Sequence, residues 1–229
     1  PSMPQVRCSW QTGEDGLVQK AVVSQRALGG EGSWPMDLEL LIFDADGSRR
    51  TALIQTDALE TRIKVLEGKP APVAILANPQ DVAYGQFVPD AISSVWMLAN
   101  VSKLTDPLER ACATAALYEA VREAELDPVQ FAEMTITMLA GEDDPNTHSW
   151  LLGRLSNCLH RYLTDERAQP LRDRTTALLL KQLAEESNSG RELGTYRFLA
   201  KTSTAEGVME LCRNVIESKS PEDLPAGLS

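Results

Sequence analysis

Histidine is nearly absent: His148 and His160 are the only two in 229 residues. They stand twelve positions apart, with no H-E-x-x-H spacing and no attendant Cys or Glu pattern. A zinc site needs three or four ligands placed by the fold, so both histidines read as structural or surface residues. The four cysteines, Cys8, Cys112, Cys158 and Cys212, lie far from one another, which excludes C-x-x-C redox pairs and zinc-ribbon spacing. Cys112, Cys158 and Cys212 each fall in a helical, mostly apolar stretch and read as buried free thiols. Free thiols imply a reducing compartment, hence the cytoplasm.

Other absences narrow the function further. G-x-S-x-G, G-x-x-x-x-G-K-S and G-x-G-x-x-G do not occur. The run Gly29-Gly30-Glu31-Gly32 is not followed by a helix and reads as a loop. No apolar run approaches the roughly 20 residues of a membrane span. The opening PSMPQVRCSW has no charged-then-apolar signal segment. Positive charge is short: 22 Lys and Arg stand against 33 Asp and Glu, for a net −11 and a pI near 4.7. Residues 1–89 hold 8 against 11 and residues 90–229 hold 14 against 22, so the acidity lies mostly in the second part. A phosphate backbone would be repelled, so no nucleic-acid partner is expected. Glu142-Asp143-Asp144 reads as negative charge gathered at a helix N-terminus before Pro145 rather than as a cation site. Trp10, Trp34, Trp96 and Trp150 read as core or interface anchors rather than a ligand cage. No catalytic, cofactor-binding or metal-ligating residue is therefore assigned, and the residues describe a binding or scaffolding unit.

What is present divides into two classes of pattern. Short strands alternate with turns at Gln5–Gln11, Leu17–Leu28, Met36–Phe43, Arg50–Gln55, Thr61–Leu66 and Val73–Ala77. Val6, Cys8 and Trp10 fall on one face of the first strand with Gln5, Arg7 and Ser9 on the other, and Ile63 and Val65 face Arg62 and Lys64. Gly13-Glu14-Asp15-Gly16 and Asp44-Ala45-Asp46-Gly47 give the turns. Six or so short strands with turns between them predict an antiparallel β-sandwich.

From residue 90 the period becomes helical, and seven helices are predicted at 90–103, 107–124, 128–140, 147–163, 167–187, 190–201 and 204–218. Asp106-Pro107-Leu108-Glu109 and Asp127-Pro128-Val129-Gln130 share one start grammar. Asp caps, Pro gives up an N–H that had no partner, and Glu or Gln reaches back. Ser203-Thr204-Ala205-Glu206 is a third capping box. After Asp106 the apolar stripe is Leu108, Ala111, Cys112, Ala115 and Tyr118, with Glu109, Arg110, Glu119 and Glu123 toward solvent. The expected architecture is a small β-sandwich over 1–80, then an all-α, α-solenoid-like helical-repeat domain over 81–229.

The order of these features resembles the rear half of the zinc aminopeptidases of the aminopeptidase N type. In that family a β-sandwich ends in W-x-x-x-N…G-Y-Y-R-V-x-Y-D before the first helix. Ala74-Ile75-Leu76-Ala77-Asn78 and Tyr84-Gly85-Gln86-Phe87-Val88-Pro89-Asp90 are similar to it, with Asn78, Tyr84 and Asp90 matching. Gln86 stands where the family often has Arg, and Gly85 replaces an aromatic. Val22-Val23-Ser24-Gln25-Arg26 resembles the strand ending L-x-Q-x-R, and Trp34-Pro35 a shortened W-x-I-P turn. Ser102-Lys103-Leu104-Thr105-Asp106 with Arg110-Ala111 resembles I-x-D-x-x-R-A, and Asp143-Asp144 with Trp150 resembles E-x-D-x-x-P-W.

The resemblance implies a non-catalytic piece of a larger enzyme, the helical part truncated relative to the family. The zinc, the H-E-x-x-H…E site and the G-x-M-E-N substrate loop would lie in a catalytic domain upstream. The missing N-terminal and catalytic domains would be its partners. The helical domain would cap the cleft and restrict it to peptides with a free N-terminus, whose first bond a zinc-activated water would attack. Two other readings stay open: an interaction scaffold descended from the same family without peptidase activity, and an independent α-solenoid adaptor with an unrelated sandwich.

Overall fold

The structure, a computed structural model, describes residues 3–185, 189–205 and 207–217. Among them are two sheets and seven helices, a mixed fold. The chain forms two compact units, Pro1–Leu126 and Asp127–Ser229.

In the first unit, β1 (Pro4–Thr12), β2 (Val18–Ala27), β5 (Glu60–Arg62) and β7 (Gln86–Phe87) make one sheet in the order β5-β2-β1-β7. The second sheet is β4-β3-β6, from β3 (Met36–Phe43), β4 (Arg49–Thr56) and β6 (Ala74–Ala77). Every pair is antiparallel except β1 with β7, which is parallel. One apolar cluster draws on both sheets: Val6, Cys8, Val18, Ala21 and Val23 from the first, Leu38, Leu40, Ile42 and Ile75 from the second. Trp10 packs against the same cluster, as the alternation in β1 predicts.

Two strand expectations need correction. Thr61–Leu66 is a strand only to Arg62. The chain then turns, burying Ile63 and Leu66 together while Val65 is exposed. The alternation of Ile63 and Val65 is therefore not a pleat. The short parallel strand β7 went unread, because two residues carry no period.

Helices α1 (Ala91–Asn100) and α2 (Pro107–Arg122) complete this unit, with a 3₁₀ turn at Val101–Lys103 between them. Asp90 caps α1 by accepting from Ile92 N and Ser93 N, and its second oxygen takes the Ser93 hydroxyl at 2.7 Å. Ser93 Oγ in turn accepts from Ile75 N at 2.9 Å, which fastens the helix start to β6. Trp96 lies on Phe43 with ring centroids 4.2 Å apart, a core anchor as expected.

Helix α2 begins at the Asp106-Pro107 cap, but its buried face is not the predicted stripe. Ala113, Ala116, Leu117, Tyr118, Ala120 and Val121 are buried, Leu108 is exposed, and Glu109 is buried. Arg49 of β4 meets Glu109 at 2.7 Å, and that partner lets the carboxylate turn inward.

The second unit holds α3 (Pro128–Leu139), α4 (Pro145–Arg161), α5 (Asp165–Glu185), α6 (Ser189–Thr202) and α7 (Val208–Glu217). Helix α4 packs on α3, α5 and α6. It starts two residues earlier than its period predicts, because Asp144-Pro145 repeats the Asp–Pro grammar, Asp144 accepting from Thr147 N at 2.7 Å. Of the capping box at 203–206, Ser203 Oγ accepts from Ala205 N at 3.2 Å; Glu206 lies outside the described residues.

Candidate functional site

The segment 74–90 builds a small surface site in the first unit. Asn78 is buried with φ 58°, a left-handed conformation that asparagine tolerates. Its Oδ1 accepts from Val82 N and Ala83 N, both at 2.9 Å, and its Nδ2 donates to Ala83 O at 2.9 Å. This clamp folds the Asn78-Pro79-Gln80-Asp81 turn back on itself. Beyond it, Val82 and Tyr84 project outward, 84% and 73% exposed.

A second clamp fixes the facing wall. Gln25 of β2 donates to Trp34 O at 3.0 Å and accepts from Trp34 N at 2.8 Å, while also donating to Thr56 Oγ1 at 2.7 Å. Trp34-Pro35 is thereby held against the end of β2. Between the walls lies an open hollow of about 350 Å³ lined by Trp34, Pro35, Met36, Asp37, Val82, Ala83 and Tyr84. Asp37 is its sole titratable group among these apart from the Tyr84 phenol. Such a lining suits docking of an apolar side chain and supplies no acid–base pair.

Gln86 has a role the sequence did not reveal. It is buried, accepts from Gln5 Nε2 at 2.8 Å and donates to Glu119 at 2.6 Å and Glu123 at 3.2 Å of α2 and its cap. Gln5 Oε1 also takes Arg7 and Arg26, and Arg7 forms a two-pronged pair with Glu125 at 2.6 and 2.7 Å. The Gln5 amide first, with Gln86, Arg26 and Arg7, holds the Glu123 carboxyl below its ordinary range. The network explains why Gln5, on the supposed polar face of β1, is buried. A neutral amide serves here because each of the three glutamates already meets an arginine: Glu119 with Arg122, Glu123 with Arg26 and Glu125 with Arg7. None of its residues lines the hollow just described.

The remaining candidates do not converge. His148 is 1% exposed inside the second unit, while His160 is exposed near the end of α4 with Nε2 3.4 Å from Thr202 Oγ1. Among the described residues no three His, Cys, Asp or Glu side chains gather as a metal site. Glu142 is buried and accepts from Asp144 N at 3.1 Å, Asp144 caps α4, and Asp143 meets Arg191 at 3.4 Å, so the acidic triplet serves the helix start. Trp150 lies under Arg154, 5.1 Å from guanidinium to ring. All four cysteines are free; Cys8, Cys158 and Cys212 are buried, Cys112 half-buried. Burial pushes the thiols of Cys8 and Cys158 up to about 12 and that of Cys112 to about 11. No described helix is long and apolar enough to cross a membrane.

No family model matches the chain. Aminopeptidase N of Streptomyces lividans is 24% identical to it over 216 residues, covering 88% of this chain and 25% of that protein. The chain therefore spans about a quarter of the length of this relative. The likeness is a distant, partial relationship to aminopeptidase N.

Proposed function

We propose that this chain is a non-catalytic C-terminal portion of a zinc-dependent aminopeptidase. In this reading a β-sandwich over 1–80 leads into a helical-repeat domain over 81–229 that caps the parent's active site and admits peptides by their free N-terminus. The observation that carries the reading is the 24% identity to an aminopeptidase N over 216 residues. The ordered run of family-like motifs through nearly the whole chain supports it. So do the roles of those motifs: Asn78 clamps the turn, Asp90 caps the first helix and Gln25 holds Trp34.

Among the described residues no three His, Cys, Asp or Glu side chains gather where they could hold zinc. No step of hydrolysis is derived from it, and the metal is assigned to an upstream catalytic domain. In this reading the parent's missing N-terminal and catalytic domains are the partners, and the open, mostly apolar Trp34–Tyr84 hollow is a surface that could receive one of them. Free buried thiols favour a cytoplasmic setting.

The test is the parent open reading frame upstream of the Pro1 codon, followed by assay of the full-length product on an aminoacyl-arylamide and on its N-acetylated twin. An upstream H-E-x-x-H with a downstream Glu, and hydrolysis of the free-amine substrate alone, is the expected result. The same upstream length with those ligands replaced would overturn the enzyme in favour of an interaction scaffold. Absence of upstream coding sequence would leave a stand-alone adaptor.

A further inference from the structure

A hollow in the second unit lies along α4 and α6, and nothing derived so far uses it. Ser149, Leu152, Gly153, Ser156 and Asn157 of α4 face Gly190, Leu193, Gly194, Arg197, Phe198 and Lys201 of α6 across about 430 Å³. Both sets repeat every three or four residues, so each is one helix face. The helices run in the same direction, since Ser149 meets Gly194 and Ser156 Oγ lies 3.5 Å from Thr202 Oγ1. The approach is close because Gly194 has no side chain; a Cβ there would sit 2.7 Å from Ser149 Oγ. Gly153 is the opposite case, with open space where its Cβ would be. The volume lies within the range of small-ligand sites, about 300–1,000 Å³.

The lining is sorted by chemistry. Leu152 and Phe198 are buried and form an apolar floor. Ser149 and Asn157 bring a hydroxyl and an amide to the α4 rim. Arg197 and Lys201 bring two exposed cations to the α6 rim, and among the described residues neither has an ion-pair partner. Elsewhere in this acidic chain arginines are mostly paired: Arg167 with Asp127, Arg172 with Asp165, Arg174 with Glu133, Arg191 with Asp143. Partial burial first, then the charges of Arg172 and Lys201, hold the nearby His160 imidazole below its ordinary range.

We propose that the α4–α6 groove is a docking site for an extended acidic peptide segment of a partner protein, with carboxylates at alternate positions. The spacing argues for this occupant. Arg197 and Lys201 are four residues apart on a helix, about 6 Å along its axis. Side chains at i and i+2 of an extended chain are about 6.8 Å apart on one face. Two glutamates so placed reach both cations while their methylenes cover the Leu152 and Phe198 floor. The intervening side chain turns to the opposite rim, where the Ser149 hydroxyl and Asn157 amide suit a small polar residue. The inference rests on the helical unit alone and does not depend on the aminopeptidase reading.

The test is fluorescence anisotropy of the full chain with a labelled probe, Gly-Glu-Ser-Glu-Ser-Glu-Gly, capped at both ends, against its Lys-for-Glu twin. Binding of the acidic probe alone is expected. Arg197→Gln with Lys201→Gln should weaken it about 5- to 20-fold, as two exposed ion pairs allow. Raising salt from low to high concentration should weaken it comparably. Gly153→Leu, placed in open space at an exposed helix position, should abolish it without loss of fold, whereas Arg161→Gln, outside the groove, should leave it unchanged. No binding, equal binding of the basic twin, or indifference to Gly153→Leu would overturn the proposal. So would self-association that Gly153→Leu abolishes, which makes the groove a contact between copies, or binding seen only after removal of residues 218–229, which assigns it to the chain's own tail.

Discussion

Mild acid should destabilise the helical unit through one residue, His148. Its ring is 1% exposed, and neither ring nitrogen has a partner in hydrogen-bonding geometry. The groups bearing on it come from three directions: Arg191 of α6, Gln182 of α5, and Glu142 in the turn before α4. Burial first, then the Arg191 charge, hold the imidazole below its ordinary value of 6.5, against smaller opposing effects of Gln182 and Glu142. Arg191 cannot swing away freely, because it donates to Glu142 O at 2.8 Å.

The sign follows from proton binding. Below about pH 6.5 the unfolded chain protonates this histidine while the folded chain does not, so the unfolded state binds more protons and stability falls with pH. The loss begins near the unfolded value and continues down to the lower folded one. One such group contributes a slope of at most about 1.4 kcal/mol per pH unit. Urea unfolding at pH 7.5, 6.5 and 5.5 reads this directly, in a window where most carboxylates do not yet titrate. His148→Leu should be near neutral or stabilising at pH 7.5, since it removes two unpaired buried nitrogens. It should also flatten the decline between pH 6.5 and 5.5. His160→Gln should change the slope less, because that ring is exposed. An equal decline in wild type and His148→Leu, or no decline in wild type, would refute the reasoning.

Three further outcomes are expected. Asn78→Gly keeps the left-handed backbone but loses three side-chain hydrogen bonds, while Asn78→Ala adds the backbone strain; the costs should be about 1–3 kcal/mol and about 1 kcal/mol more, read from chemical denaturation. Gln25→Leu strips both bonds from the Trp34 backbone and should cost about 1–3 kcal/mol with a shift in tryptophan emission; unchanged stability would show that the Trp34 wall holds itself. At pH 8 without denaturant, Ellman's reagent should modify Cys8 and Cys158 only over the time course of unfolding, because burial has raised both thiols to about 12; stoichiometric reaction of either within a minute would contradict the burial.

Local chemistry was the legible part of the fold. Asp–Pro pairs at 106–107 and 127–128 set helix starts to the residue, because capping is decided within four positions. The same grammar at Asp144-Pro145 corrects a start placed at 147 from apolar period alone. Long strands such as Met36–Phe43 were legible as apolar-rich runs between Pro35 and the Asp44-Ala45-Asp46-Gly47 turn. Where a partner decides, the pattern misled. Glu109 reads as solvent-facing until Arg49, sixty residues earlier, supplies its counter-charge. Gln5 reads as the outer face of a strand until Gln86 and the α2 glutamates meet it.

The groove shows the same limit from the other side. Gly153, Gly190 and Gly194 each lower helix propensity, and in a single chain they read only as weak points in otherwise good helices. Their spacing on α6, with Arg197 and Lys201 continuing the stripe by three and four residues, was present in the sequence. A small-residue face that runs into unpaired cations is poorly suited to a buried core, which would exclude the charges, and poorly suited to plain solvent, which gains nothing from glycine in a helix. The combination is therefore a signal that could have been read. What it could not supply is the opposing face, because nothing in the local pattern places Ser149 of α4 opposite Gly194. Gly153→Ala should add about 0.5–1 kcal/mol, since nothing stands where its Cβ would be, whereas Gly194→Ala should add less, because its Cβ displaces the Ser149 hydroxyl; equal gains at the two positions would mean that the close approach carries no cost.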